Sequence, residues 1–213
     1  MTQKLYDTLA AAPVVPLVQS DDPATAVKIT KALMKGGLNV IEVVLRTDAA
    51  MDCLEAICKD VPEAITGAGT VLTGAQAEET VRRGAQFIVS PGLTKSVVLA
   101  AEAANVPLLA GVVTATELQD AYNYGLRTVK FFPAGLSGGP KMLKALSSVF
   151  RDVQFMPTGG VNAQNLPDFL AVPSVLACGG SWLTPADAIA AGDFDAITQL
   201  AKDAVSIASK ARA

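Results

Sequence analysis

Histidine does not occur anywhere in the 213 residues of this chain. Its absence removes the commonest general base near neutral pH, the histidine-activated nucleophiles and the commonest metal ligand. Cysteine is scarce too: Cys53 and Cys58 stand close together, and Cys178 is remote from both. That spacing matches neither a zinc motif nor a disulfide framework, and three cysteines with no export signal point to a reducing, cytoplasmic setting. Asp7 interrupts the apolar core that a signal peptide would need. Charged residues make up 17% and the net charge is −3, with lysines and arginines scattered. No basic stripe is therefore available for nucleic acid. No run of about 20 apolar residues occurs either, so nothing is expected to span a membrane.

What the chain has in abundance is apolar residues, 51% of the total. That richness suits strands buried on both faces, with some surface hidden between subunits. Composition does not shift along the chain and no linker is visible, so residues 1–213 read as one domain. A helix over Met1–Ala12, with Leu5 and Leu9 on its apolar side, opens the chain. A strand–helix rhythm follows. Strands are expected at Pro13–Gln19, Asn39–Leu45, Ala64–Val71, Phe87–Ser90, Pro107–Val113, Thr128–Pro133, Val153–Pro157 and Ser174–Cys178. The helices between them start after residues such as Asp22-Pro23, the second of them at Asp48, and stop at glycines such as Gly84 and Gly125. A last helix runs from Phe194 to Ala211. This pattern predicts an α/β fold, a single (β/α)8 TIM barrel with the first helix capping its N-terminal mouth.

The expected strand Thr128-Val129-Lys130-Phe131-Phe132-Pro133 carries a lysine in its middle. Alternation puts Thr128, Lys130 and Phe132 on one face, Val129 and Phe131 on the other. A lysine is seldom buried without a partner or a task. Burial disfavours the ammonium form of such a residue and frees its amine as a nucleophile. The plainer alternatives are a strand-end lysine that snorkels to water and a structural ion pair.

In a barrel enzyme the polar groups collect at the C-terminal ends of the strands. Here Val40, Glu42, Val44 and Arg46 share a face, and Ala68 shares one with Thr70. Other strands finish at Ser90-Pro91-Gly92, Thr158-Gly159-Gly160 and Gly179-Gly180-Ser181. A glutamate in an apolar strand needs a partner, and an ion pair with Lys130 or Arg46 would satisfy it structurally. Read chemically, Lys130 attacks a ketone to form a Schiff base, Glu42 shuttles protons and Arg46 clamps a carboxylate through its planar fork. The two Gly-Gly pairs let backbone N–H groups approach an anion, with helix N-termini beyond them adding a favourable dipole, although either pair alone could be a tight turn.

Six segments together resemble the 2-keto-3-deoxy-6-phosphogluconate/4-hydroxy-2-oxoglutarate aldolase family: Glu42–Thr47, Gly67–Leu72, Ser90–Gly92, Val129–Ala134, Pro157–Gly160 and Gly179–Leu183. The resemblance covers essentially the whole chain, and its most specific part is the Lys-Phe-Phe-Pro segment. It implies a class I aldolase, free of metal and cofactor, that cleaves the phosphorylated keto sugar acid to pyruvate and glyceraldehyde 3-phosphate. It also implies cleavage of 4-hydroxy-2-oxoglutarate and a homotrimer. By this resemblance Lys130 is the Schiff-base residue and Glu42 the acid/base. Arg46 and Thr70 hold the pyruvate carboxylate, and Pro91 and Phe132 line the pocket. Thr158 meets a substrate hydroxyl, while Gly159, Gly160, Gly180 and Ser181 form a phosphate cradle. The loop Ala134-Gly135-Leu136-Ser137 departs from the more acidic, polar loop of the family. Two rivals stay open on the residues alone: another phosphate-binding barrel isomerase or epimerase, and a non-catalytic barrel that binds a keto acid.

Overall fold

The computed structural model describes residues 2–212; Met1, where the first expected helix would begin, lies outside the described residues. Helix α1 (Thr2–Ala11) precedes β1 (Val14–Val18), and strands and helices then alternate. The first half comprises α2 (Pro23–Lys35), β2 (Val40–Val44), α3 (Ala50–Asp60), β3 (Ile65–Gly69), α4 (Gly74–Arg82), β4 (Ile88–Val89) and α5 (Lys95–Ala103). Next come β5 (Leu108–Leu109), β6 (Gly111–Val112), α6 (Ala115–Asn123), β7 (Thr128–Phe131), α7 (Gly139–Val149) and β8 (Gln154–Pro157). The chain closes with α8 (Leu166–Leu170), β9 (Cys178–Gly180), α9 (Ala186–Ala191) and α10 (Phe194–Arg212).

Helix starts follow local chemistry. The Asp22 carboxylate accepts from the Thr25 N–H at 2.8 Å, with Pro23 in the first turn. Thr73 with Gln76, and Thr114 with Glu117, form complete capping boxes. Each such cap is worth about 1 kcal/mol and fixes where the chain turns from strand exit into helix.

Every strand pairing is parallel. One sheet runs β5-β4-β3-β2-β1-β9 and the other β6-β7-β8. The fifth expected strand is split at Ala110, where the chain passes from one sheet to the other; the Ala110 carbonyl accepts from the Lys130 N–H at 2.9 Å. At the opposite side, bridges Phe155↔Val175 and Thr158↔Gly179 join β8 to the β9 segment.

The alternation expected from the sequence is observed. Val15, Val40, Ile65, Phe87, Leu109 and Met156 form one buried cluster together with Leu5 and Leu9 of α1. Ile41, Val43, Val129 and Phe131 belong to the other cluster, among helix residues such as Leu33, Leu54 and Leu118. Glu42 is two residues beyond Val40 on the strand, so it stands one step above the apolar layer that Leu5 and Leu9 of α1 join.

Three expectations need correcting. The last ladder strand is Cys178–Gly180 and not Ser174–Cys178; before Cys178 that run makes one bridge, Val175 opposite Phe155, through the Ser174 carbonyl and the Leu176 N–H. The helices expected beyond the two Gly-Gly pairs, α8 and α9, are short and start later than expected; five and six residues are too few to show helical periodicity. The helix after β2 starts at Ala50 rather than at Asp48, and its N-cap, Ala49, makes no side-chain bond.

Candidate active site

Lys130 of β7 and Glu42 of β2 meet between the two sheets. Lys130 lies opposite Gly111 and Met156 in its parallel pairings, and Glu42 opposite Leu17 and Gly67. The lysine is 2% exposed, the glutamate 0%. Lys130 Nζ stands 3.7 Å from Glu42 Oε1 and 5.2 Å from the centre of the Phe132 ring. The separation suits a charge contact but exceeds a hydrogen bond. Neither Glu42 oxygen has a hydrogen-bond partner among the described residues. A buried carboxylate normally satisfies its lone pairs, and stable structural ion pairs do so with added hydrogen bonds. Here the acceptor capacity is turned toward the amine and kept open. The ion-pair partner is Lys130, not Arg46.

Gly69 makes this placement possible. A Cβ on Gly69 would overlap the Glu42 carboxylate, so the acid lies directly on the bare β3 backbone. Sequence reasoning overlooked Gly69; the signal was available in a glycine at the end of a buried strand, where something must approach closely. Gly69→Ala should displace the carboxylate by about an ångström and lower kcat by about 10²-fold. A steady-state assay on protein with an unchanged circular dichroism spectrum checks this, and an unaltered kcat would refute it.

Arg46 and Thr70 are joined: Arg46 Nε donates to Thr70 Oγ1 at 3.2 Å. Strict alternation would turn Thr70 with Ala68 toward the helices. Instead Thr70 has φ +61°, a left-handed conformation that a β-branched residue adopts at a cost. The strained backbone interrupts the alternation and brings the hydroxyl to the guanidinium. Arg46 and Ser181 line one cavity of about 230 Å³, together with Leu17, Gln19, Val44 and Thr184. Gln19 and Thr184 were not singled out in the sequence, where neither sits in a motif.

Thr158 is buried and pairs with Gly179 in an isolated bridge. A Cβ on Gly179 would run into the Thr158 side chain, and one on Gly180 into the Trp182 ring. Gly159 and Gly160 have φ +88° and +81°, which only glycine adopts readily, and Gly159 lies against Phe132. The turn also abuts Gly135 of the departing loop. Ser181 is exposed, and the Pro91 carbonyl packs on Gly111, the strand partner of Lys130. The helix dipoles expected behind the two glycine pairs are not supplied. Helices α8 and α9 are short and begin at Leu166 and Ala186, several residues past the glycines.

The other candidate nucleophiles are quiet. Burial, with a smaller contribution from nearby carboxylates, pushes the Cys53 and Cys58 thiols up to about 11. Burial raises Cys178 as well. Thiols held this way carry almost no thiolate at neutral pH.

Comparison with known proteins identifies the family. The family model described as "Aldolase: KDPG and KHG aldolase" matches residues 5–200. The chain belongs to the KDPG and KHG aldolase family. A KHG/KDPG aldolase of Escherichia coli (strain K12) is 50% identical over 197 residues, which is 92% of each chain. Among solved family structures, the KDPG aldolase of Legionella pneumophila superposes with a TM-score of 0.91 at 39% identity, covering 94% of this chain and 97% of that one. That enzyme was captured with pyruvate as a covalent carbinolamine intermediate. The aldolase of Zymomonas mobilis ZM4, solved with 3-phosphoglycerate, gives a TM-score of 0.89 at 41% identity, covering 97% of both chains.

Proposed function

We propose that this protein is a class I aldolase that cleaves 2-keto-3-deoxy-6-phosphogluconate to pyruvate and glyceraldehyde 3-phosphate, and 4-hydroxy-2-oxoglutarate to pyruvate and glyoxylate. The observation that carries this reading is the buried amine of Lys130, 3.7 Å from a Glu42 carboxylate with unpartnered oxygens. The Lys130 amine adds to the C2 ketone; loss of water from the carbinolamine leaves a protonated imine. Glu42 accepts the C4 hydroxyl proton, the C3–C4 bond breaks, and its electrons pass into the imine to give an enamine. The aldehyde departs, Glu42 returns a proton to C3, and water releases pyruvate. Because the imine is the electron sink, no step requires a metal. One carboxylate working in both directions suits a reversible cleavage.

Arg46 and Thr70 hold the pyruvate carboxylate, the guanidinium supplying the charge. Pro91 and Phe132 wall the pocket, and Thr158 meets a substrate hydroxyl. Gly159, Gly160, Gly180 and Ser181 receive the phosphate through backbone N–H groups and one hydroxyl. The β8-to-β9 bridges and the single-residue break at Ala110 support a closed (β/α)8 barrel, with α1 plugging its N-terminal mouth. Residues 1–213 form its one domain. Exposed apolar side chains, among them Leu136 at 91%, Leu72 and Leu99, are suited to burial in a homotrimer. The free cysteines suit a cytoplasmic setting, and no helix of the described residues is long and apolar enough to cross a membrane.

Incubation with 2-keto-3-deoxy-6-phosphogluconate should release pyruvate and glyceraldehyde 3-phosphate in equal amounts, at a rate unchanged by a strong chelator. Release without aldehyde, or loss of activity on chelation, would overturn the reading.

A further inference from the structure

The Gly159–Gly160 turn is held from behind. In a trans peptide the carbonyl and the N–H of one plane point in opposite directions, and the cis bond recorded here is Phe132–Pro133. The Gly159 carbonyl accepts from the Gly135 N–H at 2.8 Å, which turns the Gly160 N–H the other way. The Gly160 carbonyl accepts from Asn165 Nδ2 at 2.8 Å, which turns the Val161 N–H away in the same manner. Among the described residues neither of these two N–H groups has a backbone acceptor or a side-chain one. Two successive free N–H groups on a glycine turn make a concavity for an anion.

The orientation of Asn165 is itself determined. Its Oδ1 accepts from the Asn162 N–H at 2.9 Å, and Asn162 Oδ1 accepts in return from the Asn165 N–H at 3.1 Å. With Oδ1 engaged, Nδ2 is the end that faces Gly160. Asn165 stands at the N-cap of α8 yet gives that helix no side-chain hydrogen bond. Its donor is directed at the turn instead.

We propose that Asn165 is a positioning residue: by holding the Gly160 carbonyl it aims the N–H groups of the turn at the phosphate of the substrate. The inference rests on the phosphate cradle proposed above. It predicts a defect confined to the phosphorylated end of the substrate. Asn165→Ala removes the donor. Asn165→Asp removes it while keeping size and the acceptor for Asn162.

The test compares kcat and KM for 2-keto-3-deoxy-6-phosphogluconate and for 4-hydroxy-2-oxoglutarate, which bears no phosphate. Both variants should raise KM for the phosphorylated substrate and lower its kcat/KM, relative to the other substrate, by about tenfold, the scale of one hydrogen bond to a charged group. Inorganic phosphate, titrated by the fluorescence of Trp182, the only tryptophan, should bind both variants about tenfold more weakly by the same argument. Equal losses on both substrates, with phosphate binding unchanged, would make Asn165 a support of the fold and overturn the proposal. A loss with Asn165→Asp alone would show only charge repulsion and overturn it too. If Asn165→Asp does not fold, Asn165→Ala decides; if Asn165→Ala does not fold, Asn165→Leu, close in size and uncharged, takes its place. A wild-type enzyme that neither cleaves the phosphorylated substrate nor binds phosphate would instead overturn the reading of the cradle, and this inference with it.

Discussion

Lys130→Arg is expected to leave a folded protein that forms no covalent adduct with pyruvate and cleaves neither substrate measurably. Arginine keeps a positive charge beside Glu42, but its guanidinium does not give up a proton in proteins and cannot form an imine. Removing a covalent nucleophile costs on the order of 10⁶-fold in kcat where the intermediate is obligatory. Intact-mass measurement after pyruvate and borohydride should show one pyruvate-derived group on the wild type, mapped by peptides to Lys130, and none on the variant. The experiment also separates the rivals. An isomerase or epimerase of this fold would show no adduct, and a keto-acid-binding barrel would bind pyruvate without one. Trapping at any other lysine would end the assignment.

Glu42→Gln should separate imine formation from cleavage. Glutamine keeps the volume against Gly69 and keeps an acceptor, but it cannot take the C4 hydroxyl proton. Cleavage should fall by about 10²–10⁴-fold, the usual range for a positioned proton-transfer group. The pyruvate adduct should still form on Lys130, though more slowly. A purely structural ion pair predicts a different pattern. Breaking a buried pair destabilises by about 3–5 kcal/mol, and turnover of the molecules that remain folded would then be close to normal. Melting temperature and kcat measured on the same preparation distinguish the two.

Much of this site was legible in the sequence because strand alternation is a strict geometric rule. Val40, Glu42 and Val44 had to share a face, as did Thr128 and Lys130, whatever the rest of the chain did. For Thr70 the alternation rule misleads. The rule groups it with Ala68, yet Ala68 packs among the helices while Thr70 reaches Arg46 through a left-handed backbone that no pattern of residue types announces. The last ladder strand was misplaced for a related reason. The apolar run before Cys178 looked like a strand, whereas pairing to β1 runs through Cys178–Gly180, two of whose residues are glycines that read as a turn. Those glycines stand in a strand because Thr158 and Trp182 occupy the space their side chains would need.

By itself, then, the sequence determined the strand–helix rhythm, the inward face of each long strand and the kind of chemistry, since a lysine and a glutamate in apolar strands leave few explanations. It also carried the family, through motifs spread over most of the chain. Only the tertiary structure decided that Glu42 pairs with Lys130 and not with Arg46, that Gly69 is the floor under the acid, and that Asn165 and Gly135 hold the glycine turn. Most of these contacts join residues far apart in the chain, and the one from Asn165 to Gly160, only five residues apart, depends on the path of the turn between them. Periodicity carries the direction of a side chain along its own element, but a distance between elements arises only when strand register, backbone strain and close packing are satisfied together.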